Sequence, residues 1–99
     1  MKYDIRITVL KKVFHEDIIQ KYAENSNSWE PCKKFSVGST FLVSGDAPWD
    51  KPMNFCGWAW ADIQKMVWGM ARGGPDHFVT CCTDGYRPVL FLIERVTSL

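Results

Sequence analysis

Residues 55–71 read FCGWAWADIQKMVWGMA and run straight into Arg72-Gly73-Gly74-Pro75. On a helical wheel Ala59, Ile63, Met66, Val67 and Met70 share one side, and Asp62, Lys65 and Gly69 share the other. That spacing is the period of a helix with one face to bury. Asn54 is the expected N-cap, and the Gly-Gly-Pro run is the expected stop. Trp58 falls on the polar side and Trp68 at its edge. Two indoles so placed must pack on another segment, a second subunit or a ligand.

A helix with a single apolar face needs a partner layer, and the flanking sequence offers strands. Residues 2–10 alternate, with Tyr3, Ile5, Ile7 and Val9 on one side and Lys2, Asp4, Arg6 and Thr8 on the other. This is a strand with one wet face. His77–Thr83 and Pro88–Val96 read as two further strands joined by a turn at Asp84-Gly85. Val89–Ile93 is apolar at every position, as in a central strand buried on both faces. Phe35–Val43 reads as extended and broken at Gly38, and His15–Glu24 as a short helix with Ile18, Ile19 and Tyr22 as its stripe. Residues 25–28 and 44–52 are loops. The expected fold class is α+β. A single small domain would hold an antiparallel sheet of three to five strands, the N-terminal strand beside the C-terminal one. One long helix (about 55–71) and one short helix (about 15–24) would pack with it.

The chain has 99 residues and a net charge of +1, with acids and bases mixed along it. That length suits one domain, and the charge pattern excludes a basic nucleic-acid patch. No apolar run approaches the roughly 20 residues of a membrane-spanning helix. The N-terminal segment alternates charged and apolar residues, unlike a signal peptide, so a cytoplasmic location is the default expectation. Five Trp and six Phe supply large buried areas. A core this small gains from self-association, so a homo-oligomer is expected. The four cysteines should be thiols in that compartment. There is no Cys-x-x-Cys pair, no Gly-x-Gly-x-x-Gly and no phosphate-loop lysine pattern, so motifs leave the cofactor unknown.

Several blocks have a familiar form. Phe55-Cys-Gly-Trp-Ala-Trp-Ala-Asp62, Gly73-Gly74 and Cys82-Thr-Asp-Gly-Tyr-Arg-Pro-Val89, then Phe91 and Ile93-Glu-Arg95, resemble a family of small conserved hypothetical proteins of bacteria and archaea. Ile7–Lys12, Phe14–Asp17 and Pro31-Cys32 ahead of Phe35 are similar to that family as well, so the likeness spans nearly the whole chain. It implies one domain and, since the family has no established activity, no particular reaction. Lys33 stands where relatives are expected to carry proline, which loosens the backbone at Cys32.

Cys56 falls near the start of the long helix, where free N–H groups and the helix dipole favour a thiolate as nucleophile or metal ligand. The alternative is a small buried hydrophobe, the usual state of a free cysteine. Cys82 opens the block Thr83–Arg87. Arg87 could grip a carboxylate or phosphate with two N–H groups, and the turn at Asp84 could add backbone donors. Otherwise Asp84-Gly85 is only a hairpin turn and Arg87 pairs with an acid such as Glu94. Cys81 and Cys82 point to opposite faces of a strand, and Cys81 reads as core packing. His15 could be a general base, or simply a residue of the short helix's first turn. Asp62 either hydrogen-bonds an indole or a ligand, or sits in water.

Trp58, Trp60 and Trp68 could wall a site for a flat or cationic ligand. Equally, Trp60 belongs to the core while Trp58 and Trp68 form a subunit seam. Three readings follow. The first is a cysteine- and tryptophan-lined pocket that binds, and by a thiol-dependent step transforms, a small anionic or planar molecule. In it Cys56, Cys82, Asp62 and His15 carry chemistry, and Trp58, Trp60, Trp68, Asp84 and Arg87 hold the ligand. The second is a non-catalytic homo-oligomeric module. The third is a metal-binding protein using Cys32, Cys56 and Cys82 with His15 or His77, an irregularly spaced ligand set.

Overall fold

In the computed structural model, which describes residues 2–96, the N-terminal alternation becomes strand β1, Asp4–Lys12. Ile5, Ile7 and Val9 are buried, and Asp4 and Arg6 face outward. With β2 (Thr40–Val43), β3 (His77–Cys81) and β4 (Val89–Val96) it builds one antiparallel sheet in the order β2-β1-β4-β3. Among the described residues the α-helices are α1 (Glu16–Tyr22) and α2 (Gly57–Ala71), with a short 3-10 helix at Ser26–Ser28. The expected α+β class and the pairing of first and last strands are therefore both present. No helix among the described residues is long and apolar enough to cross a membrane.

The core is the layer between α2 and one sheet face. Ala59, Ile63, Val67 and Met70 from the helix meet Ile5, Ile7, Val9, Val89, Phe91 and Ile93 from β1 and β4, all essentially inaccessible to water. Each fully buried aliphatic or aromatic side chain contributes about 1.5–3 kcal/mol, so this contact dominates the energetics of so small a domain. At one end of the layer Phe35, Phe41, Phe55 and Phe91 pack mostly edge to face, with Phe35–Phe55 and Phe35–Phe91 centroids 4.9 and 5.1 Å apart. Such pairs add about 0.5–1.5 kcal/mol beyond area burial.

Local details depart from the sequence reading, each for a physical reason. Only Thr40–Val43 of the 35–43 stretch is strand. Gly38 takes φ 89° and donates its N–H to the Val9 carbonyl, so the chain turns there and Phe35 dips into the core instead. The cap of α2 is Cys56, not Asn54, because Asn54 sits in a left-handed turn (φ 65°) that drives Phe55 inward. α1 is shorter than expected. It buries Ile19, whereas Ile18 and Tyr22 are exposed. β4 buries Val89, Phe91 and Ile93, but Leu90 and Leu92 on its other face are only half-buried. No two-residue hairpin joins β3 and β4: seven residues, 82–88, intervene. The open sheet face also presents Cys81, which is exposed and not core packing, with Leu42 and Val79 at 68% and 52% exposure.

The stop of α2 matches the sequence. Gly73, at φ 104°, donates to the Met70 carbonyl and Gly74 to the Gly69 carbonyl, the paired bonds of a Schellman cap. Gly45 is needed for a different reason. A Cβ there would lie 2.6 Å from the Tyr3 carbonyl oxygen, and the Gly45 carbonyl already accepts Nη1 of Arg72 at 2.6 Å. Gly45→Ala should cost about 1–3 kcal/mol in urea unfolding, the range for forced backbone strain. Gly69→Ala, where a Cβ meets nothing within 4 Å, should gain about 0.5–1 kcal/mol of helix stability.

Candidate functional site

Three chain segments converge beyond the N-terminal end of α2. The first is the helix entrance at Cys56, which leaves the first N–H groups of a 15-residue helix without intrahelical partners. The second is the 82–88 connection. The third is the stretch around Cys32–Phe35, tied to the sheet by the Lys12 ammonium, which donates to the Cys32 carbonyl at 3.0 Å. They enclose a hollow of about 520 Å³. Its walls include Cys32, Cys56, Cys82, Trp58, Phe35, Ala59, Val89, Lys34 and residues 83–87. A cavity of this size and largely apolar lining is in the range of small-molecule sites.

The 82–88 loop is held by two carboxylates. Asp62, from the second turn of α2, accepts the Thr83 backbone N–H at 2.8 Å and the Thr83 hydroxyl at 3.0 Å. The same hydroxyl oxygen accepts the indole N–H of Trp58 at 2.9 Å. Trp58 is thereby fixed over the hollow although the residue is 66% exposed. Asp62 thus sits neither simply in water nor directly on an indole: it reaches Trp58 only through Thr83. Asp84 accepts the backbone N–H groups of Tyr86 and Arg87, and its other oxygen accepts Arg87 Nε at 3.0 Å. Its carboxylate is therefore an organiser of the loop. Cys82 is buried in the hollow's floor, and its Sγ accepts the Val89 N–H at 3.4 Å.

Arg87 spans two segments. Its guanidinium lies 4.9 Å from the centre of the Trp29 ring, Nη1 donates to the Glu30 carbonyl at 3.4 Å, and Trp29 stands edge-on to Tyr86 at 5.0 Å. The Nη2 donors have no partner among the described residues. The acid that pairs with Arg87 is Asp84, not Glu94. Glu94 instead binds Arg6 at 2.8 Å on the open sheet face.

A second hollow of about 350 Å³ abuts the first. Ser28, Trp29, Glu30 and Lys33 line it, and Cys32, Lys34 and Arg87 belong to both. Lys33 beside Glu30 holds the Glu30 carboxyl below the usual carboxylate range by hydrogen bonding and by charge.

Not every candidate arrives at this place. Trp60 is buried in the core against Phe55. Trp68, ten residues along α2 from Trp58, packs at a tilt against Trp49, with ring centroids 5.5 Å apart. Of the three helix indoles only Trp58 lines the hollow. His15 donates its backbone N–H to the Tyr86 carbonyl, yet it is absent from the lining. His77 lies at the far end of β3, bonded to Asp76, whose carboxyl it holds low. Among the described residues no group of three or more His, Cys, Asp and Glu side chains is arranged to hold a metal ion. The sequence reading does not single out Trp29, Lys34 and Phe35, which line the two hollows. A lone Trp in an otherwise polar loop, two residues before Pro31, was the available signal for the first.

Searches against protein-family models, curated proteins and solved structures found no match.

The Trp58–Thr83–Asp62 relay has a measurable energy. Asp62→Ala should cost about 1–2 kcal/mol, as for a charge-assisted hydrogen-bond pair at a partly exposed site. Combined with Thr83→Val, it should show an interaction energy of at least about 0.5 kcal/mol in a double-mutant cycle. Additive losses would mean that the two side chains do not act together.

Proposed function

We propose that this chain is a small-molecule-binding protein, and that the larger hollow is its binding site for a planar or anionic ligand. One observation carries the reading: Cys32, Cys56, Cys82, Trp58 and Arg87, scattered over 56 positions of sequence, line one cavity. Flat ligands stack well against an indole whose ring is held by its own N–H bond. The unpartnered Arg87 donors and the open helix end favour a negatively charged group. Cys56 is the thiol at that helix end, and a bound carbonyl carbon would meet its sulfur. The sulfur electron pair then forms the C–S bond, the C=O pair moves to oxygen, and the thiol proton ends there, giving a reversible thiohemiacetal.

Iodoacetamide, read thiol by thiol by peptide mass spectrometry, tests the reading against an internal standard. Cys81 lies on the open sheet face, is exposed, and is absent from the hollow's lining. Cys56 should be alkylated faster than Cys81 at neutral pH despite being less exposed. Its alkylation should also block binding of the fluorescent probe anilinonaphthalene sulfonate. Slower reaction than Cys81, together with unaltered probe binding, rejects the site.

A second reading, a homo-oligomeric module, is favoured by a separate observation. The uncovered sheet face and the half-exposed Trp49–Trp68 pair leave apolar surface outside the hollow. Sedimentation at micromolar concentration should then give a dimer or larger species that Leu42→Lys or Trp68→Lys dissociates. A monomer at all concentrations removes this reading.

A further inference from the structure

The charges around the paired hollows are unequal in a specific way. Their walls carry three cations, Lys33, Lys34 and Arg87, and two carboxylates, Glu30 and Asp84. Lys33 is paired with Glu30, and Arg87 with Asp84. Lys34 has no acidic partner among the described residues, and it is one of the three residues shared by both hollows. One positive charge is thus left over at the boundary between a polar basin and an apolar one. The apolar side is walled by Phe35, Ala59, Val89 and Trp58.

We infer that the ligand is an amphipathic monoanion, an aryl or unsaturated monocarboxylate. Its carboxylate lies at Lys34 and the Arg87 Nη2 donors, and its flat apolar part faces Trp58 and the thiols. A single negative charge matches the one cation of the lining that lacks an acidic partner. A dianion would bring an excess charge against Glu30 and Asp84, both within the same walls. A neutral ligand would leave Lys34 without a partner and gain nothing from it. This inference rests on the hollow being a binding site and adds what that site selects.

The test uses two alkylating agents of similar shape, one anionic and one neutral. Iodoacetate is a monocarboxylate, and iodoacetamide is its neutral analogue. With either, the thiolate sulfur displaces iodide, the C–S bond forms as the C–I bond breaks, and the thiol proton goes to solvent. The readout is the iodoacetate-to-iodoacetamide rate ratio at Cys32 and Cys56, divided by the same ratio at Cys81. It should exceed unity by about fivefold or more, the scale of one screened charge contact. Lys34→Gln should return the ratio to that of Cys81, and added salt should lower it. Lys65→Gln, an exposed change on α2 away from both hollows, should leave it unchanged.

A reversible arm pairs anilinonaphthalene sulfonate, a monoanion, with the neutral phenylnaphthylamine. Lys34→Gln should weaken the first by a similar factor and spare the second. A ratio equal to that at Cys81, or a preference that survives Lys34→Gln, overturns the monoanion assignment. So does equal weakening of both probes. In each of those cases rapid iodoacetamide labelling of Cys56 would still stand for the hollow as a site. Failure of that labelling and of both probes to bind removes the site and the inference together.

Discussion

The burial of one helix face on one sheet face is the contact from which everything else takes its position. Ala59, Ile63, Val67 and Met70 can meet Ile5, Ile7, Val9, Phe91 and Ile93 only if α2 lies across β1 and β4. That placement carries the start of α2 to the end of the sheet where β3 gives way to β4. The long 82–88 connection is there, and so is the hollow. Asp62 completes the arrangement from the helix side, one turn after Trp58, by binding both polar groups of Thr83. A helix displaced along its axis by one turn would separate Asp62 from Thr83 and leave the indole N–H of Trp58 without its acceptor.

The hollow is built largely from residues whose hydrogen-bonding capacity is directed inward to the loops. Asp62 and Asp84 are occupied by Thr83, Tyr86 and Arg87. Their work is to hold the walls, and the groups left facing the space are thiols, an indole, a lysine and part of one guanidinium. Under the proposed reading, a site of this composition binds by shape, stacking and one charge contact.

Much of this was legible in the sequence, and the rest was hidden for definable reasons. The 3.6-residue pattern of 55–71 and the alternation of 2–10 gave α2 and β1 because one-sided burial imprints its period on the chain. Trp58, an indole on the polar side of its helix, showed that something must cover it, but not whether a chain segment, a second subunit or a ligand does so. Thr83 as its acceptor was not readable, since a threonine in a turn has many ordinary roles. The Asp84-Gly85 pair suggested a tight hairpin, but the Asp84 carboxylate organises a wider loop, held by Arg87 three residues on and, through Arg87, by Trp29 from distant sequence. Trp60 and Trp68 share a helix with Trp58 but not a direction, and neighbours alone decide which of them lines a cavity. Nothing in the sequence separates Lys34 from any other lysine; the ion pairs of Lys33 and Arg87 do.

The claim on which the account stands is spatial: the helix entrance and the 82–88 loop face each other across one hollow. Nuclear Overhauser contacts in solution measure this directly. The account predicts cross-peaks from the Trp58 indole N–H to the Thr83 side chain, and between the Phe35 and Phe55 rings. A folded, well-dispersed spectrum in which the Trp58 indole N–H exchanges freely with water and shows no contact to Thr83 would contradict it.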